Sequence, residues 1–144
     1  MSYNIKFKEK IVWEISDLAF DSSRNQYDGQ KLLNELIDEK GIRFFFWIVH
    51  DDLFVPVMNF VFGLASKFYG SITSFYRLKG LEMKTKISIH ECGHVLGLEH
   101  CQNYCVMQYS NSLPEAQQKP STLCDECKKK LEQIRCNYNE DDAR

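Results

Sequence analysis

The sequence predicts one α+β domain spanning residues 1–144, on three observations. Apolar and polar residues alternate with period two in several segments before residue 78. Helical spacing takes over after residue 81 and persists nearly to the C-terminus. No repeat, low-complexity tract or Gly/Pro-rich linker divides the chain. At 144 residues, 44% hydrophobic and 26% charged, it can close a core without staples.

Taken in order, Tyr3, Ile5 and Phe7, then Ile11, Trp13 and Ile15, alternate as a strand does. Residues 21–27 are polar and turn-rich. Leu32, Leu33, Leu36 and Ile37 share one helical face, which Gly41 is placed to end. Residues 42–49 are aromatic and β-branched, as a buried strand is. Residues 53–62 are extended in character, with Pro56 favouring an edge strand or bulge. Residues 70–78 read as the last strand. Residues 81–96 read as a helix with Met83, Ile87, Ile89, Val95 and Leu96 as its apolar members. Ser121 or Thr122 is placed to cap a final helix carrying Cys127, Leu131, Ile134 and Tyr138. Residues 139–144 are expected as a frayed, disordered tail.

Bulk properties remove some functions. A formal net charge of -2 gives no electrostatic case for nucleic acid or an anionic membrane. The lysine run at 128–130 reads as a solvated helix face. Residues 1–10 lack the apolar core of a signal peptide, and the apolar run at 44–49 is too short to span a bilayer. A cytoplasmic monomer is therefore expected. In that setting six cysteines point to metal or buried thiols rather than a disulfide framework.

The chemistry concentrates after residue 90. His90 and His94 are four apart, so a helix stacks both imidazoles on one face, where they can share a zinc ion. Glu91 lies about 100° round the helix from His90, able to flank a zinc-bound water as general base without ligating the metal. His100 is a third candidate ligand, but an unbroken helix would turn it about 240° away from His94. Gly97 can take a positive φ, break the helix and return the chain to the metal. Three neutral ligands leave one open position, as catalytic zinc sites do. His50, the remaining histidine, reads as a polar residue at a strand end with no assigned role.

The pattern His90-Glu91-x-x-His94-x-x-Gly97-x-x-His100 resembles the metzincin signature of zinc peptidases. The sequel, Cys101, Cys105-Val106-Met107 and Cys124-Asp-Glu-Cys127, resembles one branch, the archaemetzincins. Residues 53–56 and 59–63 are similar to that family's edge-strand region, and the likeness extends to about Cys136. Cys101 and Cys105 are separated by three residues where the family pattern has four, and the chain is shorter toward its N-terminus. The resemblance implies a metzincin-like zincin, with a twisted mixed sheet, an antiparallel edge strand, an active-site helix and a C-terminal helix. It implies two zinc ions per chain: a catalytic one on His90, His94 and His100, and a structural one on Cys101, Cys105, Cys124 and Cys127. The cysteine spacings lie within the range of zinc ribbons, with buried reduced thiols as the alternative.

The resemblance also implies a tight turn at Met107 below the catalytic metal. Tyr109 stands where some metzincins keep an oxyanion-stabilising tyrosine, but archaemetzincins more often carry Phe there, and simple packing is the favoured reading. Cys92 faces away from the histidines and reads as packing, and Cys136 has no assigned partner. The implied activity is peptide hydrolysis in a cleft between the edge strand and the active-site helix, with Glu91 as base and a peptide or protein substrate. The rival readings are a zinc-binding protein on the same scaffold with little turnover and an amide hydrolase that is not a peptidase.

Overall fold

The computed structural model describes residue 6 and residues 8–142. Tyr3, Ile5 and Phe7 of the expected first strand lie outside these residues. The rest of that segment, through Ile15, forms no strand. Ile15 packs on the core and Lys40 sits over the Trp13 ring, whereas Ile11 and Val12 are exposed. Of the alternating set only Trp13 and Ile15 turn inward, and no backbone ladder accompanies them.

The expected polar turn at 21–27 is a hairpin. Strands β1 (Phe20–Asp21) and β2 (Gln26–Asp28) pair antiparallel. The Asp21 carboxylate accepts from the Ser23 and Arg24 amides, and Asn25 takes a positive φ of 53°. Asp28 then caps helix α1 (Gly29–Asn34), accepting from the Gln30 and Lys31 amides. The helix widens into a π turn at Glu35–Glu39, and Gly41, at φ 62°, follows its end.

Five strands follow: β3 (Phe45–Val49), β4 (Leu53–Val55), β5 (Met58–Val61), β6 (Gly63–Ser66) and β7 (Gly70–Ser74). They complete two mixed sheets rather than one, in the orders β1-β2-β4-β5 and β3-β7-β6. In each, one parallel pair (β2–β4, β3–β7) joins antiparallel neighbours. Residues 53–62, expected as one extended segment, are a second hairpin. Pro56 sits in its turn, where a missing N–H breaks no ladder bond. The chain bends at Phe62, whose carbonyl accepts from the Ser74 amide at 2.8 Å, and then joins the other sheet as β6. Leu32, Leu33, Val49, Leu53, Val61 and Ile72 form one core that ties α1 to both sheets.

A buried polar clamp braces the sheet carrying β4. Arg77 holds Asp52 through two hydrogen bonds of 2.8 and 2.9 Å, and Gln26 donates to the same carboxylate at 2.9 Å. Burial pushes the Asp52 pKa up, but the bonds from Arg77 and Gln26 outweigh it and hold the carboxyl below the usual aspartate range. A depressed folded-state pKa stabilises the fold above the unfolded value of about 3.9, and that contribution disappears as pH falls through the folded value. Asp52→Asn is therefore expected to cost about 1–2 kcal/mol at pH 7, and the deficit should shrink below about pH 4. Urea unfolding of both proteins at pH 7 and pH 3 measures this; a pH-independent difference would refute it.

Helix α2 (Gly80–Val95) carries Met83 and Ile87 into one core cluster and Ile89 into another. Its Lys86 is buried, its Nζ donating to the Gln117 carbonyl at 3.1 Å. That bond holds α3 (Leu113–Gln118), a short helix absent from the expected element order. Its signal is present at Ser112, which accepts from the Glu115 amide, with proline in the first turn. Helix α4 (Asp125–Asp142) starts later than a Ser121 or Thr122 cap implies. It also runs on through residues expected as a tail: with no Gly or Pro after Cys124, nothing interrupts its ladder. No described helix is long and apolar enough to cross a membrane.

Candidate active site

Helix α2 fixes His90 and His94 one turn apart, and its C-terminus supplies the third histidine. Leu98 N–H donates to the Gly93 carbonyl and Gly97 N–H to that of His94, closing a Schellman motif with Gly97 at φ 105°. The chain reverses there and brings the His100 ring to 5.4 Å from His90 and 4.7 Å from His94, centroid to centroid. A side chain at 97 would be strained by that φ and would meet the Phe68 ring at 3.1 Å. Gly97→Val is expected to misplace His100 and weaken zinc binding at the three histidines at least roughly tenfold. Competition with a chelating dye measures it; unchanged affinity would show that the turn does not position the ligand.

The hydrogen bonds assign the tautomers. His90 Nδ1–H donates to the Val106 carbonyl and His94 Nδ1–H to that of Leu98, each at 2.8 Å. Both Nε2 atoms then carry lone pairs, yet they lie 3.1 Å apart. Two lone pairs at that separation repel unless a cation bridges them, and nitrogens on adjacent corners of a tetrahedral zinc site lie roughly 3.3 Å apart. The candidate ligand atoms of His90, His94 and His100 all fall within 4.8 Å of one another. Burial, aided by the charge of Lys119, pushes the His90 pKa down to about 3 and lowers those of His94 and His100. Neutral imidazoles are what a metal requires. The donor set fits zinc.

Glu91 is buried in the same cleft, a cavity of about 460 Å³ between β6 and α2. Burial pushes its pKa up to about 8, partly opposed by Lys119. Gly63 and Lys119 are among the cleft residues given no role of their own in the sequence reading. Gly63 lets β6 approach α2: a Cβ there would stand 2.8 Å from the Ile72 carbonyl oxygen and 2.9 Å from Glu91 Cγ. Lys119 is 3% exposed and donates to the Gln108 carbonyl at 2.8 Å. No spacing rule marks either residue; only the tertiary fold brings them to the site.

The four cysteines converge beside the histidines. The Sγ atoms of Cys101, Cys105, Cys124 and Cys127 lie within 4.8 Å of one another, with Cys101 and Cys124 3.8 Å apart. Backbone amides already point at them: Met107 and Cys124 N–H toward Cys105 Sγ, and Asn103 N–H toward Cys101 Sγ. A compact set of four cysteine sulfurs suits zinc.

The remaining candidates fall as follows. Met107 is buried in a turn closed by Gln108 N–H to Cys105 O, and its carbonyl accepts from Cys101 N–H. Because the adjacent Val106 carbonyl holds His90, this turn bears directly on the histidine site. Tyr109 is 49% exposed and lines the cleft 5.0 Å from the His100 ring. Cys92 packs against the cluster around Leu98 and Val106, Cys136 is exposed, and His50 is exposed beside Phe75.

The sequence pattern of peptidase family M54 matches residues 8–133. The archaemetzincin of Nanoarchaeum equitans is 41% identical over 130 residues, covering 90% of this chain and 75% of that protein. Among solved structures, the archaemetzincin of Methanopyrus kandleri aligns with a TM-score of 0.77 at 32% identity, over 84% of this chain and 72% of that one. The archaemetzincin of Archaeoglobus fulgidus, complexed with malonate, aligns with a TM-score of 0.75 at 35% identity, over 82% and 77%. With the HExxH helix, the glycine break and the third histidine in place in a matching fold, the chain belongs to peptidase family M54, the archaemetzincins, and is a zinc metallopeptidase.

Proposed function

We propose that the chain hydrolyses peptide bonds with a catalytic zinc on His90, His94 and His100, Glu91 as general base, and a second, structural zinc on Cys101, Cys105, Cys124 and Cys127. The observation that carries this reading is the approach of two lone-pair-bearing Nε2 atoms, 3.1 Å apart, in a cleft that also buries Glu91. A bound zinc supplies a Lewis acid that polarises the scissile carbonyl and acidifies water. Glu91 removes a proton from the attacking water, which adds to the carbonyl carbon, and delivers it to the amide nitrogen as the C–N bond breaks. Tyr109, half-exposed beside His100, offers its hydroxyl to the negative charge developing on the carbonyl oxygen.

The outer edge of β6 has no strand partner among the described residues, so an extended peptide can add there by backbone hydrogen bonds. Gly63 keeps that edge close to Glu91. A broad peptide library incubated with the zinc-loaded chain tests the reading: cleavage is expected, lost on chelation and regained with zinc. Peptides bound but uncut would favour the binding-protein reading, and turnover confined to non-peptide amides would favour the other hydrolase.

A further inference from the structure

The cleft holds more positive charge and more unused hydrogen-bonding capacity than the proposed reaction requires. Lys119 lines the cleft from a buried position, and no carboxylate lies within ion-pair distance of it among the described residues. One ammonium proton goes to the Gln108 carbonyl. His90 Nδ1, 3.2 Å from Lys119 Nζ, already spends its own proton on Val106 and has no lone pair to offer. Two N–H groups of a buried cation are therefore left without an acceptor among the described residues. Ser110, also lining the cleft, has the one buried side-chain oxygen that lacks a hydrogen-bond partner among them. Buried donors of this kind ordinarily find an acceptor, and two N–H groups with a hydroxyl match a carboxylate.

Resting on the peptidase reading, we infer that Lys119 and Ser110 form an anion subsite, and that preferred substrates are peptides with an Asp or Glu side chain beside the cleaved bond. Lys119 Nζ is one imidazole ring away from the ligating edge of His90, so an acidic side chain on a residue flanking the scissile bond can reach it. The side-chain carboxylate accepts from Lys119 and Ser110 while the scissile carbonyl faces the three histidines. The reaction is unchanged; only the choice of substrate is set here.

Matched peptides with Glu or Gln at each of three positions on either side of the cleaved bond test this. At one position the Glu peptide is expected to be favoured roughly tenfold or more in kcat/KM, mostly through KM, as a charge-assisted hydrogen bond provides. Lys119→Met should abolish that preference, and Ser110→Ala should reduce it. Fluorescence anisotropy with labelled peptides and the inactive Glu91→Gln chain reads the same preference as Kd, without turnover. Equal Kd values for each Glu and Gln pair, or a preference that survives Lys119→Met, would overturn the inference. A Kd gap in a chain that cuts no peptide would support the subsite and count against the peptidase reading alone. The wild-type comparison needs no variant, so it decides the matter even if Lys119→Met does not fold.

Discussion

Glu91→Gln is expected to lower kcat by about a thousandfold while zinc content stays at the wild-type level. Glutamine keeps the shape of the side chain, so the close packing of Glu91 Cγ against Gly63 survives and β6 stays where it is. What disappears is the ability to accept a proton from water and pass it to the leaving nitrogen. The ligating edges of His90 and His94 are fixed by bonds to Val106 and Leu98, none of which involves Glu91. Metal analysis and kinetics on the same preparation measure both halves. More than a tenth of wild-type turnover in the variant would remove Glu91 from the mechanism, and loss of zinc would recast it as part of the metal's support.

The second large effect is expected at the cysteines. Cys124→Ser combined with Cys127→Ser should remove one zinc per chain and lower the thermal midpoint by about 10 °C or more. Between Leu98 and the start of α4, the only regular element among the described residues is the six-residue α3, which Lys86, Leu113 and Ala116 tie to α2, so the cysteine cluster and its apolar neighbours order much of the rest. The loss should also reach the histidines. His100 directly precedes Cys101, and the carbonyl that holds His90 belongs to Val106, next to Cys105. Zinc affinity at the histidine site is therefore expected to fall as well, at least several-fold. Calorimetry and metal analysis decide: a wild-type stoichiometry near one zinc per chain, with full activity, would argue against both the second site and the coupling.

The histidine motif was legible because helical periodicity and a glycine break are local properties. His90, His94 and Gly97 have only to obey the geometry of one turn of helix and its cap. The cysteines were legible by their spacing within the family pattern. Lys119, Ser110 and Gly63 were not, because each owes its place to packing between segments far apart in the chain, and nothing near them in sequence encodes that approach. The strands were read in part. Residues 53–62 are apolar and extended in character whether they form one strand or two, and the bend at Phe62, which moves the chain from one sheet to the other, leaves no mark on hydrophobic period. Nor does alternation at 11–15 report whether a neighbouring strand exists.

If substrate adds as a strand to the outer edge of β6, unpaired among the described residues, the proposed function has a consequence for the proteins it acts on. A cleft that receives its guest as an added strand accepts only chain already drawn out straight, so a helix or a paired strand in the target must first come undone. The cutting rate at a given bond then carries the local opening equilibrium of the target as a factor. A sequence cleaved readily in a short peptide becomes resistant, by orders of magnitude, once it lies inside a stable fold. On that proposal, damaged, unfolded or naturally disordered chains would be selected by their mechanical looseness before any side chain is read.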